Sequence, residues 1–143
     1  MIWLILLLSM FLHVWSDFFK QGWLASAKCY SWWLEQKSAI FIDNTGLKHV
    51  KPLYQNDYWV MLVAHSIHWA FCVMLPSLIY GIWQTNDLEW FSFVSFAFFV
   101  INVVIHSFID NQKANVFSIN LIGDQLLHLI QIMLTVLVLW KMI

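Results

Sequence analysis

The sequence has little charge. Aspartate, glutamate, lysine and arginine together make up only 10% of its 143 residues, whereas hydrophobic residues make up 62%. Soluble globular domains average about 25% charged and about 45–50% apolar residues. A domain of this length is mostly surface when it folds in water, and so few charges could not cover that surface. The hydrophobic content also excludes intrinsic disorder, and it is typical of an integral membrane protein.

Cysteine and positive charge are scarce as well. The two cysteines, Cys29 and Cys72, do not make a disulfide framework, and we expect both to be plain thiols. The chain has no arginine, and its formal net charge is −1. It therefore lacks the basic footprint that binds nucleic acid, and we expect no nucleic-acid partner. The partner that the composition indicates is the lipid bilayer.

Four segments are long and apolar enough to form membrane-spanning helices, each of which needs about 20 residues. The first has neither the basic start nor the cleavage site of a signal peptide, and we interpret it as a mature helix. A proline in the second segment, Pro76, is tolerable within a bundle. The predicted spans cover about residues 2–19, 58–83, 88–109 and 119–142.

The predicted fold class is all-α: an integral membrane four-helix bundle with up-down topology, in which residues 1–143 form a single domain. Residues 20–57 form the one extended hydrophilic loop. Its first part mixes aromatic and polar residues and predicts a short interfacial helix, and residues 43–46 predict a turn.

The lysines predict the orientation of this bundle. Only Lys141 lies on the other side, at the end of the fourth span, while every other lysine lies between spans one and two or between spans three and four. The positive-inside rule places both of those loops in the cytoplasm and both termini outside the inner (cytoplasmic) membrane. Tryptophans near the predicted helix ends fit aromatic belts. The cytoplasmic lysines are Lys20, Lys28, Lys37, Lys48, Lys51 and Lys113.

Each predicted span carries two histidine or aspartate side chains three or four residues apart, so that both lie on one face of the helix. Ionisable residues within spans are energetically expensive and are candidates for function. Up-down topology brings all of them to one layer of the membrane, near the cytoplasmic side. The pairs are His13 and Asp17, His65 and His68, His106 and Asp110, and Asp124 and His128.

Five imidazoles and three carboxylates are about the ligand set that two metal ions need. Four-helix bundles build dinuclear sites from side chains on facing helices. We therefore predict that all eight side chains bind a divalent metal, in a dinuclear centre of zinc, iron or manganese. Two interpretations without metal stay open: hydrogen bonds that hold the helices together, and a proton relay.

Three residues are candidates for a catalytic role beside the metal. Asp17 or Asp124, if not fully engaged as a ligand, would act as general base. Lys113 lies three residues after Asp110 and shares its helix face, so it could neutralise that carboxylate or hold an anionic group of a substrate. The alternative for Lys113 is an interfacial lysine that reaches toward water.

The order of these motifs resembles the bacterial and phage membrane family described as domain of unknown function 3307, over nearly the whole chain. The resemblance implies a four-span inner-membrane protein without an established activity. More loosely, the pattern is similar to membrane-bound metal-dependent hydrolases that carry histidine and aspartate in their helices. The motifs are His13-x3-Asp17-x3-Gln21-x-Trp23-x4-Lys28, His65-x2-His68, His106-x3-Asp110-x2-Lys113 and Asp124-Gln125-x2-His128.

The function predicted from these observations is an intramembrane metal-dependent hydrolase, acting on a lipid or lipid-linked substrate near the cytoplasmic leaflet. Two alternatives remain. The same ligands could form the transit site of a metal-handling or transport protein, which would need a homo-oligomer because four spans are few for a transporter. The chain could also be a non-enzymatic membrane protein, for example phage-encoded, that binds and modulates a partner.

Overall fold

The computed structural model describes residues 1–36, 38–52, 54 and 56–143. These residues form four long helices, two short helices and a two-stranded hairpin. Lys37, one of the lysines behind the predicted orientation, lies outside the described residues. In chain order the elements are α1 (Ile2–Val14, continued by a π-helical turn at Trp15–Phe19), α2 (Leu24–Ala27), α3 (Tyr30–Gln36), β1 (Ser38–Ile42), β2 (Lys48–Pro52), α4 (Asp57–Gln84), α5 (Leu88–Asn111, continued by a π-helical turn at Gln112–Val116) and α6 (Leu121–Lys141).

Four helices within the described residues are long and apolar enough to cross a membrane, which confirms that part of the prediction. The third helix continues to Val116, beyond the predicted boundary at residue 109. The prediction stopped where polar residues begin, but backbone hydrogen bonding does not stop where the apolar region of a helix ends. The helix ends at Phe117, whose left-handed backbone (φ 59°) terminates it.

Long helices that pack against each other run antiparallel. His13, near the end of α1, contacts Gln125, near the start of α6. Phe91, near the start of α5, covers Gly81, near the end of α4. The long helices therefore form an up-down bundle. We call the end that carries α2, α3 and the hairpin the loop end, and the opposite end the far end.

The interior of the bundle has an apolar half and a polar half. Histidine and aspartate side chains are buried toward the loop end, while the outside carries large apolar residues such as Trp3 (77% exposed) and Ile122 (70% exposed). An apolar outside and ionisable groups that face inward are the arrangement expected of membrane-spanning helices. The buried apolar core, toward the far end, includes Trp69, Val73, Met74, Phe91, Ile132, Val136 and Leu139.

Neutral polar side chains link the helices between these two halves. Gln131 on α6 donates to the Asn102 side-chain oxygen on α5 at 2.8 Å, and Asn102 donates to the Thr135 hydroxyl at 2.9 Å. Ser107 on α5 donates to Ser66 on α4 at 2.7 Å. Such bonds between helices hold membrane bundles together. One of the metal-free interpretations therefore applies to these neutral residues.

The loop between α1 and α4 contains a small antiparallel sheet that the all-α prediction lacks. Strand β1 pairs with β2 so that Ser38 lies opposite Pro52 and Ile42 opposite Lys48. The turn between the strands has Gly46 at φ 81°, in the left-handed region that glycine adopts without strain. Hydrogen bonds from Thr45 and His49 hold the pKa of the Asp43 carboxyl well below its usual value.

Replacing Gly81 with alanine tests the close packing of α4 on α5. A Cβ at this position would overlap the buried ring of Phe91, and overpacking of this kind costs about 1–3 kcal/mol. We expect Gly81→Ala to lower the unfolding temperature in detergent, followed by tryptophan fluorescence. Gly123→Ala is the control, because a Cβ there has its nearest neighbour at 3.5 Å. Equal unfolding temperatures for the two variants would contradict the described packing.

Candidate metal centre

Six of the eight predicted metal ligands meet inside the bundle, near the loop end. We call these six the His/Asp cluster. Every long helix contributes at least one of them, and α1 contributes Asp17 from its π-helical turn. Turns of this kind recur at functional sites in other proteins. The cluster consists of Asp17, His65, His106, Asp110, Asp124 and His128, which form three overlapping groups whose ligand atoms lie within 4.8 Å of one another.

Asp110 lies at the centre of the cluster, and both of its carboxylate oxygens are in use. Oδ1 lies 3.2 Å from His128 Nε2 and 3.8 Å from His106 Nε2. Oδ2 lies 3.5 Å from His65 Nε2. Asp110 thus belongs to one group with His65 and His106 and to another with Asp124 and His128. A carboxylate between two ligand sets is the arrangement by which helix bundles hold two metal ions.

The remaining cluster members close the two groups. Asp17 Oδ1 lies 3.3 Å from His65 Nε2, and Asp124 Oδ1 lies 3.3 Å from His128 Nε2. The rings of His106 and His128 approach with Nδ1 atoms 3.1 Å apart. Among the described residues, His106 Nε2 and Asp124 Oδ1 are buried without a hydrogen-bond partner. Buried polar atoms without a partner are costly. Each of these two residues belongs to a ligand group in which a bound cation would compensate such an atom.

His13 lies beside the cluster, and both of its ring nitrogens are engaged. The indole N–H of Trp69 donates to His13 Nδ1 at 2.8 Å. The neutral ring therefore carries its proton on Nε2, which donates to Gln125 Oε1 at 3.0 Å. Gln125 in turn donates to Asp124 Oδ2 at 2.9 Å. In this arrangement His13 orients Asp124 through Gln125. The sequence had predicted His13 as a metal ligand, but both of its ring nitrogens are engaged and it belongs to none of the three ligand groups.

His68 lies apart from the cluster, on an exposed part of α4. Its Nδ1 is 3.1 Å from the Ser16 hydroxyl, and its Nε2 is 3.7 Å from the Cys72 thiol. Residues three apart are offset by about 60° around a helix axis, which is enough here for His65 to be buried in the bundle while His68 is exposed beside Ser16 of α1. The predicted pairing of His65 and His68 in one ligand set is not seen in the structure.

Two lysines pair with cluster carboxylates at the loop end. Lys113 Nζ lies 2.6 Å from Asp124 Oδ2. Lys113 therefore neutralises Asp124, whereas helical spacing had predicted Asp110. Lys28, which follows α2, lies 2.6 Å from Asp110 Oδ2. The long side chain of Lys113 reaches across to α6. A comparison of positions on one helix does not consider such a contact.

A cavity of about 370 Å³ opens from the cluster toward the loop end. Its lining includes the polar residues Asp17, Gln21, Lys28, Asp110 and Lys113 and the apolar residues Phe18, Ala25, Ala114 and Phe117. A larger groove of about 630 Å³ lies toward the far end between α1 and α4, and its lining is almost entirely apolar. The smaller cavity is the relevant one for chemistry, because it alone of these two reaches the His/Asp cluster.

Trp69 and Lys28 belong to this site, although the sequence analysis gave neither of them a role in it. Trp69 stacks on His106 with ring centroids 4.1 Å apart, in addition to its hydrogen bond to His13. The position of Trp69 four residues after His65 was the available signal, since residues with that spacing share a helix face. Lys28 offered a weaker signal, because its contact depends on how α2 folds back.

Comparison with known proteins gives no match among protein-family models, curated proteins or solved structures. The resemblance to the family described as domain of unknown function 3307 stays a prediction.

His65 and His68 form a matched pair of variants for testing the ligand set. His65→Ala removes a cluster imidazole, whereas His68→Ala removes an exposed one on the same helix. We expect His65→Ala to weaken zinc or manganese binding by about tenfold or more and His68→Ala to bind as the unmodified protein does. Metal content after loading and dialysis, measured by mass spectrometry, gives the comparison. Equal binding by both variants, or a larger loss in His68→Ala, would contradict the described cluster.

Proposed function

We propose that the protein is an intramembrane metal-dependent hydrolase, which acts on a lipid or lipid-linked substrate at the loop end of the bundle. The observation that carries this proposal is the convergence of six buried histidines and aspartates from all four long helices, beside a cavity that opens at one end. Hydrogen bonds that only hold the helices together need neither overlapping groups of ligand atoms nor a buried imidazole nitrogen without a partner.

The chemistry of the cluster fits a divalent metal. Imidazole and carboxylate ligands suit zinc, iron and manganese, and the two groups that share Asp110 fit a dinuclear centre. With the histidines neutral, as metal ligands must be, the three cluster carboxylates and the two paired lysines leave one surplus negative charge at the site. Burial of such a surplus in an apolar bundle is unfavourable. A cation that binds there removes this penalty.

Asp17 is the better placed of the two predicted general bases. It lines the cavity, where a substrate and a water molecule have access, whereas Asp124 lies deeper and is held by Lys113 and Gln125. Gln21 donates to Asp17 Oδ1 at 3.4 Å, which fixes the carboxylate in position. A bound divalent cation would polarise the bond to be cleaved and make water a stronger acid. Asp17 would then accept the proton of that water.

The rim of the cavity supports a substrate from the membrane. Phe18, Phe19, Trp23 and Phe117 are exposed at this end of the bundle, and aromatic side chains of this kind are typical of the membrane–water interface. Besides Lys113, four described lysines lie at the same end, namely Lys20, Lys28, Lys48 and Lys51. For this reason we assign the loop end to the cytoplasmic leaflet.

The interior favours catalysis over metal transport. A transit site needs a path to both sides of the membrane, but Val73, Met74, Phe91 and Val136 pack into an apolar core beyond the cluster. The cavity that reaches the cluster opens at the loop end. An ion or a substrate would thus enter and leave through the same opening, as in an enzyme.

Metal removal and Asp17→Asn test the proposed hydrolase. The purified protein in nanodiscs, loaded with zinc, manganese or iron, is given a panel of phosphate-ester and carboxyl-ester lipids. We expect hydrolysis of one class to be lost on chelation, restored by reloading, and reduced about 10²-fold or more by Asp17→Asn, because a general base contributes about 10²–10⁴-fold.

Glu89→Gln is the control for that experiment, because Glu89 lies in the first turn of α5 at the far end. It should change neither the metal content nor the rate. Less than one equivalent of metal after reloading would refute the proposal. So would a rate that Asp17→Asn leaves unchanged in protein that still holds its metal.

A further inference from the structure

We infer that Lys28 and Lys113 form a phosphate-binding pair. The substrate is then a phosphate monoester that carries an apolar chain. This inference rests on the proposed function and specifies its substrate. Both lysines line the cavity that reaches the His/Asp cluster. They come from different parts of the chain, Lys28 from the end of α2 and Lys113 from the π-helical turn after α5.

Metal binding would leave both lysines in need of another anion. Each ammonium group now lies 2.6 Å from an oxygen of a cluster carboxylate, Lys28 at Asp110 and Lys113 at Asp124. Those two carboxylates are in the group that would bind the metal with His128. Once a dication neutralises them, the two lysines give the cavity a positive surplus. A phosphate dianion would balance that charge, whereas a carboxylic ester or an amide is neutral and would not.

Lys28 is held in place by the surrounding backbone. The carbonyl of Lys28 accepts from the Asn115 side chain at 3.1 Å, and the same side chain accepts from the backbone N–H of Tyr30 at 2.7 Å. Trp33 donates to the Ala27 carbonyl at 2.7 Å. The Lys28 side chain is only 12% exposed. A lysine positioned in this way loses little entropy on binding an anion, unlike a surface lysine that reaches toward water.

The apolar side chains in the cavity lining favour a substrate that carries an apolar chain. Phe18, Ala25, Ala114 and Phe117 line the cavity. Phe117 is 78% exposed and has a left-handed backbone, which is uncommon for a bulky residue and is often found at functional sites. A ligand with its phosphate between the lysines would have its hydrocarbon chain against these side chains and the surrounding lipid.

The reaction is a hydrolysis without any redox change. The oxygen of a water molecule forms a bond to phosphorus while the bond between phosphorus and the ester oxygen breaks. Asp17 accepts one proton from the water and passes it to the departing ester oxygen, which leaves as an alcohol. The products are inorganic phosphate and the apolar alcohol. Lys28 and Lys113 offset the negative charge of the phosphoryl oxygens throughout, a role that positioned cations often have in phosphoryl transfer.

Cys29 provides a reporter of phosphate binding that does not depend on activity. It lines the same cavity, next to Lys28, and burial raises the pKa of its thiol. The experiment uses metal-loaded full-length protein with Cys72→Ala, so that a maleimide labels Cys29 alone. We expect inorganic phosphate to slow labelling, and we expect Lys28→Ala and Lys113→Ala each to weaken this protection by about tenfold or more. Lys28→Arg should retain it, and Lys20→Ala is the matched control.

The substrate arms use phosphatidic acid in nanodiscs, soluble glycerol 3-phosphate and a carboxyl-ester lipid. We expect release of phosphate from phosphatidic acid; release from glycerol 3-phosphate instead would identify a soluble phosphate ester and overturn the apolar-chain part of the inference. Absence of phosphate protection in the metal-loaded protein, or cleavage of the carboxyl ester alone, would overturn the phosphate pair while leaving the hydrolase proposal intact. Less than one equivalent of metal would overturn the hydrolase proposal itself, so the two failures are distinguishable.

Discussion

The buried carboxylate of Asp110 is the constraint on which the polar half of the bundle depends. A lone carboxylate inside an apolar bundle would be strongly unfavourable, yet this one is only 3% exposed. It is compensated by an ammonium group from Lys28 and by imidazoles from three helices. To make these contacts, α2 must fold back over the end of the bundle. The position of one charge thus determines how the loop end is closed.

The polar side chains inside the bundle fall into two groups, which make different kinds of contact. Farther from the loop end, Asn102, Gln131 and Thr135 hold α5 and α6 together through short hydrogen bonds between neutral groups. In the His/Asp cluster the contacts are longer, and His106 Nε2 and Asp124 Oδ1 have no hydrogen-bond partner among the described residues. The neutral network brings no group of metal-ligand side chains together, whereas this cluster has the oxygen and nitrogen atoms that a cation would bind.

The sequence predicted the four long helices and most of the cluster because both depend on local periodicity. Apolar length predicts the helices, and spacing of four residues predicts that Asp124 and His128 share a face. The roles of His13 and His68 could not be predicted in this way, since they depend on which neighbour each side chain meets: Trp69 and Gln125 for His13, Ser16 and Cys72 for His68. The contact of Lys28 with Asp110 spans 82 positions of the chain, and only the folded loop brings it about.

X-ray absorption spectroscopy at the metal edge of zinc-loaded protein tests the central claim most directly, because it identifies the atoms bound to the metal. If the His/Asp cluster binds the metal, the first shell contains nitrogen and oxygen at about 2.0–2.2 Å, with the outer-shell scattering of imidazole. A sulfur shell at about 2.3 Å, or an oxygen shell without imidazole, would contradict the account.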